Sequence, residues 1–154
     1  MITLKQILLP LDGSACSQKA QRYAVTLAQH FGARVLALHV THAHWEQDSF
    51  ETGPDVVQKV QQEQAAEAAR IRQEVSEAAT QAGVACELQC LTGSPAEVIL
   101  RVAKEKAVDL VVMGTHGRSG LRHALLGSVA EKTVQHAPCP VLVVRQAEHE
   151  FVTE

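Results

Sequence analysis

The sequence predicts an α/β fold, a doubly wound parallel sheet of five strands with helices on both faces. Three observations predict it. Short, nearly continuous apolar runs recur at 5–11, 34–41, 110–113 and 141–144. Stretches with apolar residues at three- and four-residue spacing stand between them. Gly, Ser, Asp or Pro marks most of the junctions. Strands without alternation are those covered on both faces, and strands alternating with helices pair in parallel through crossovers.

The elements follow in order. Residues 5–11, KQILLPL, form a buried strand that ends at Asp12. Residues 15–31 carry Ala20, Tyr23, Ala24, Leu27, Ala28 and Phe31 on one helical face. Ser14 is placed to cap that helix, and Gly32 to close it in a left-handed conformation. Residues 34–41, RVLALHVT, are the second strand. Residues 42–55 break the pattern and read as a long surface loop. From 56 to 82 an amphipathic helix presents Val57, Val60, Gln64, Ala68, Ile71, Val75, Ala78 and Ala82, and Gly83 ends it. Residues 84–91 alternate enough for a third strand near a sheet edge. Ser94-Pro95-Ala96-Glu97 has capping-box spacing and opens a helix that buries Ile99, Leu100 and Ala103. Asp109 opens the fourth strand. Ser128 and Glu131 repeat the capping-box spacing at the last helix, which Pro138 and Pro140 end before the strand at 141–144. Residues 1–146 form one domain, and 147–154 a polar, loose tail.

Composition narrows the function. A chain of 154 residues suits one core. The formal net charge is −3 and aromatics are 3% of residues, so bulk-charge binding and base stacking on nucleic acid are both disfavoured. No apolar run approaches the ~20 residues of a membrane span. The start, MITLKQILLP, does not read as a signal peptide, which makes the cytoplasm the expected compartment. The four cysteines, at 16, 86, 90 and 139, form no CxxC pair and read as buried, reduced thiols.

The stretch VDLVVMGTHGRSGLRHALLGSVAEKTVQHAPCPVLVVR, residues 108–145, carries the chemistry. It reads as strand, glycine loop, helix and strand. Glycines let backbone amides approach an anion, and a helix N-terminus offers unpaired N–H groups and a positive partial charge. Neither G-x4-G-K-[ST] nor a G-x-G-x-x-G after the first strand is present, which disfavours a phosphate-loop enzyme and a dinucleotide dehydrogenase.

The full spacing is Gly114-x2-Gly117-x9-Gly127-Ser128. Together with Pro10-x-Asp12, the GTHGRSG loop, the LLGSVAEKTV run and the closing CPVLVV strand, it resembles the nucleotide-binding branch of the universal stress protein family over about residues 3–145. The resemblance implies an adenine nucleotide alpha hydrolase-like fold with strand order 3-2-1-4-5. It implies ATP as the usual ligand, with Mg as an optional companion. Asp12 would bond the ribose, Pro10 and Leu11 would shape the adenine wall, and Val40 would contact the base. Met113 and Gly114 would form the pocket floor. Backbone N–H groups of Gly117, Arg118, Gly127, Ser128 and Val129 would hold phosphates, the Ser128 hydroxyl adding a donor. His116 flanks the loop within reach of a phosphate. The family also implies a homodimer through the last strand, Val141, Leu142, Val143 and Val144, an apolar edge of the kind that is paired or covered.

Two other readings stand beside this one. The same fold can serve as an interaction scaffold that binds no nucleotide. His39, His42 and His44, near Glu46 and Asp48, could instead gather a metal in a metal-handling stress protein, although a half-buried His39 beside two solvated loop histidines explains them as well. No nucleophile with a base partner is readable, so catalysis is limited to slow ATP hydrolysis or autophosphorylation. The expected role is regulatory, with nucleotide occupancy altering the loop at 42–55 and hence the surface offered to a partner protein.

Overall fold

The computed structural model describes residues 1–42, 53–116, 126–147 and 149–152. Its elements are β1 (Gln6–Pro10), α1 (Ala15–Phe31), β2 (Arg34–Thr41), α2 (Pro54–Ala82), β3 (Cys86–Thr92), α3 (Pro95–Glu105), β4 (Leu110–Gly114), α4 (Ser128–His136) and β5 (Val141–Val144). The strands form one parallel sheet in the order β3-β2-β1-β4-β5. The expected order and class therefore hold. Most of the loop expected at 42–55 lies outside the described residues.

Alternation along the strands divides the core into two layers. Ile7, Leu9, Val35, Ala37 and Val112 face α1 and α2, meeting Ala20, Tyr23, Ala24, Ile71 and Val75. Leu8, Leu36, Leu38, Val111 and Met113 face the other way, against Val98, Ile99, Val102 and Ala103 of α3 and Ala130 of α4. Successive residues of a strand point to opposite faces, so a run apolar at every position is what a doubly covered sheet requires.

The helix ends agree with the sequence only in part. The Ser14 hydroxyl accepts the Ser17 N–H at 3.2 Å, and Gly32 closes α1 at φ 66°. Helix α2 begins two residues early because Pro54 takes its first position. Neither capping box forms. Ser94 occupies the N-cap of α3 without a side-chain bond. In α4 the N-cap is Gly127, which moves Ser128 inside the helix and leaves no side-chain cap.

Helix α2 has 29 residues, which corresponds to about 43 Å. Only Ile71, Val75 and Ala79 are buried, all in its second half. Its first half is longer than packing against α1, β2 and β3 needs. None of the described helices is long and apolar enough to cross a membrane.

Two expectations fail for physical reasons. Cys90 is exposed, because β3 is an edge strand and α2 covers it incompletely; Cys16 alone is fully buried, and burial pushes the Cys86 and Cys139 thiols up. The C-terminal segment is tied down as far as Val152. The buried Lys19 ammonium donates to the Gln146 carbonyl at 3.2 Å and pairs with Glu150 at 3.0 Å. Arg22 pairs with the same carboxylate at 3.0 Å, and Phe151 meets Tyr23 edge-on at 4.7 Å. Hydrogen bonds from Lys19, then Arg22, hold the Glu150 carboxyl below its usual range.

Two predictions concern stability. Ala107 turns the chain after α3 at φ 48°, a conformation that costs an L-residue ~1–2 kcal/mol against a smaller entropic cost for glycine. Ala107→Gly should therefore raise unfolding free energy by about 0.5 kcal/mol in urea titration. The Asp109 carboxylate accepts the Lys5 and Gln6 N–H groups at 2.8 and 2.9 Å, which hold its pKa below the ordinary value. A depressed carboxyl stabilises above its unfolded pKa and stops doing so as pH falls through the folded one. Asp109→Ala should cost about 1 kcal/mol at neutral pH, and the deficit should shrink below about pH 4.

Candidate functional site

The strand order reverses between β1 and β4, the place where open α/β sheets form a crevice beyond the strand C-termini. A cavity of about 520 Å³ opens there. Pro10, Leu11, Asp12, Val40, Met113, Gly114, His116, Gly127, Ser128 and Val129 line it together. These are ten of the twelve residues singled out from the sequence. The other two, Gly117 and Arg118, lie outside the described residues.

The corner under the cavity is built around Thr115, which is 2% exposed. Its N–H donates to the Val144 carbonyl at 3.0 Å, and its carbonyl accepts the Gly127 N–H at 2.7 Å. Its hydroxyl lies 3.5 Å from the Cys16 thiol and 3.0 Å from His116 Nδ1. One residue thus joins β4, β5, the start of α1 and the start of α4. Both flanking glycines are needed for this closeness. A Cβ on Gly114 would stand 2.8 Å from the Cys16 Cβ, and one on Gly127 would stand 2.8 Å from the Thr115 carbonyl oxygen.

Above that corner, α4 begins bare. Its first internal bond runs from the Glu131 N–H to the Gly127 carbonyl at 2.9 Å. The amides of Ser128, Val129 and Ala130 precede it and have no helical partner. All three residues line the cavity, and the Ser128 hydroxyl is not spent on capping. Asp12 enters from the end of β1. One of its oxygens accepts the Ser14 N–H at 2.9 Å, which fixes the carboxylate; the other has no partner among the described residues.

Several lining residues were not singled out from the sequence. Ser14, Ser17, Thr41 and Thr115 are polar side chains at strand and helix ends, where sequence reading sees only caps and turns. Val60, Glu63, Gln64 and Glu67 form a wall from the overhanging half of α2. Their i, i+3, i+4, i+7 spacing puts them on one stripe, which was the available signal. Among the described lining residues there is no lysine or arginine.

His39 is buried, and its Nδ1 lies 2.8 Å from the Leu11 carbonyl. His42 is exposed and also lines the cavity, while His44 is outside the described residues. Among the described residues no three His, Cys, Asp or Glu side chains gather to hold an ion. Inside its strand, His39 is committed to Leu11.

Gly114→Ala should lower stability by about 1–3 kcal/mol, the usual cost of overpacking a close contact, with or without any ligand present. Thermal unfolding would show it.

The comparisons agree with this architecture. The sequence profile described as "Universal stress protein family" matches residues 3–145. A universal stress protein of Methanocaldococcus jannaschii is 37% identical over 147 residues, covering 95% of this chain and 85% of that protein. Universal stress protein YxiE of Bacillus subtilis is 39% identical over 145 residues, covering 91% and 98%. The solved structure of UspA from Lactobacillus plantarum superposes with a TM-score of 0.79 at 31% identity, covering 94% of this chain and 100% of that one. The fold is shared with a universal stress protein in complex with cAMP at 22% identity (TM-score 0.71; 95% and 100% covered). It is also shared with an AMP-bound family protein of Arabidopsis thaliana at 21% identity (TM-score 0.67; 93% and 92% covered). With a family profile covering nearly its whole length, this chain belongs to the universal stress protein family.

Proposed function

We propose that the cavity binds an adenine nucleotide, foremost ATP, and that the protein is a nucleotide-dependent regulator of a stress response. The observation that carries this reading is the uncapped start of α4 opening into the cavity that also holds Asp12. Oriented amides and a helix N-terminus suit phosphate oxygens, and a fixed carboxylate suits ribose hydroxyls. Adenine nucleotides in two more distant members of the fold support the same choice. Mg enters as the nucleotide's companion, since Asp12 and Ser128 offer the hard oxygen donors it takes.

The protein acts by binding and not by turnover. The Thr115 hydroxyl touches His116, but it is buried and shared with Cys16, which suits a structural role. Slow ATP hydrolysis or autophosphorylation is the most that this arrangement supports. We place the protein in the cytoplasm, where its four free thiols persist. One observation favours the rival scaffold reading. Gly114 and Gly127 have packing reasons to be glycine, so their presence alone demands no ligand.

We also propose a homodimer through β5. It is an edge strand whose Val141, Leu142 and Val143 are only half-buried, and Val134 of α4 is 46% exposed. Val143→Lys should shift the mass seen by light scattering from dimer to monomer; an unchanged mass would contradict the interface.

Ser128→Pro separates binding from folding. Proline is favoured at the first helical position, and Gly127 already has the extended backbone that a following proline requires. The substitution should leave the melting temperature within a few degrees of wild type while removing one amide and one hydroxyl from the phosphate end. Affinity for ATP should fall about tenfold or more by calorimetry. A wild-type protein that ignores millimolar ATP would instead favour the scaffold.

A further inference from the structure

Lys19, Arg22 and Tyr23 share one face of α1 at i, i+3 and i+4 spacing, and none of them lines the cavity. The Lys19 side chain is 5% exposed, yet it ends in an ammonium. Two described acceptors meet it, the Gln146 carbonyl at 3.2 Å and the Glu150 carboxylate at 3.0 Å, and only the second is an anion. A buried charge left without a counter-charge is strongly unfavourable, so this face requires a carboxylate. Arg22 reaches the other oxygen of the same carboxylate at 3.0 Å. Beside this clasp Phe151 stands edge-on to the Tyr23 ring, and Val152 packs against the core layer that contains Tyr23. The pattern held by the face is thus carboxylate, aromatic, aliphatic. The C-terminal segment fills the place incompletely. Phe151 is 66% exposed, and the buried Tyr23 hydroxyl has no hydrogen-bond partner among the described residues. Buried polar groups are nearly always paired, so the orphaned phenol marks a place that its present occupant does not satisfy. A segment held by one ionic clasp and a largely exposed ring opens locally at low cost.

We propose that this face of α1 is a docking groove for an acidic–aromatic–aliphatic segment of a partner protein. Glu150, Phe151 and Val152 occupy it in cis until such a segment displaces them. The proposal stands apart from the nucleotide reading. Charge complementarity selects the occupant: two cations converge here on a chain whose formal net charge is −3, so an acidic segment is drawn to this face and away from the rest of the surface. The tethered tail competes at high effective concentration, which keeps the groove closed to poorly matched segments.

The test is fluorescence anisotropy of a labelled peptide with the sequence of the tail, QAEHEFV, titrated with the full chain. Glu150→Gln combined with Phe151→Ala weakens the resident segment. The new amide oxygen still accepts from Lys19, which protects the fold, and thermal unfolding checks it. This opened chain should bind the peptide at least about tenfold more tightly than wild type, whose own tail competes. Glu150→Gln in the peptide should weaken its binding to the opened chain about tenfold. Arg22→Ala, at an exposed side chain that the core does not use, should weaken it as well. No binding to the opened chain, equal binding to wild type, or indifference to the peptide's carboxylate would overturn the proposal. A light-scattering mass larger for opened chain mixed with wild type than for either alone would assign the groove to the tail of a second copy, and would overturn the partner reading.

Discussion

The site depends on the way Thr115 closes the end of β4. Its backbone bonds to Val144 and Gly127, and its hydroxyl reaches Cys16 and His116. The parallel sheet makes this necessary. At the switch point the chain leaves β1 for one face and β4 for the other, so a crevice must open between them. Without a tight knot below it, the crevice would expose the ends of both core layers. Thr115 and the two close-packed glycines draw α1 and α4 together there, and the cavity is what remains above them. In this chain the glycines act first on packing. Their effect on a ligand follows, because a close approach by Gly127 is what aims the start of α4 into the open space.

That arrangement gives the cavity a direction. Bare amides and the positive end of a helix lie on one side, the carboxylates of α2 and the His39 ring on the other. Helix α2 supplies the second side only because it overshoots the sheet. Its buried residues end at Ile71, and the turns before it carry Glu67, Gln64, Glu63 and Val60 to the cavity wall. The length of α2 is thus a feature of the site more than of the core.

The fold was legible in the sequence because a doubly covered parallel sheet leaves a clear pattern, nearly continuous apolar runs in its inner strands and alternation in the edge strand β3. Ser14 and Gly32 were legible for a similar reason, since each acts through its own local backbone. What was misread lies beyond local chemistry. Ser128 has capping-box spacing, yet Gly127 takes the cap because only glycine fits against the Thr115 carbonyl. Glu63 and Glu67 look like the solvent side of an amphipathic helix and Val60 and Gln64 like its core-facing side, and nothing local tells that a cavity lies opposite them. Glu150 and Phe151 read as a loose tail because their partners, Lys19, Arg22 and Tyr23, are more than a hundred residues away in sequence. Ten residues that line the cavity could be named in advance through the resemblance to a family, and ordinary turn chemistry alone would have picked out few of them.

The most direct test of a nucleotide site at the start of α4 is the amide NMR spectrum during ATP titration. The Ser128 and Val129 N–H signals should move downfield and saturate with ATP, and adenosine, which has no phosphates, should leave them nearly in place. Shifts confined to other parts of the chain, or the same response to adenosine as to ATP, would contradict the account.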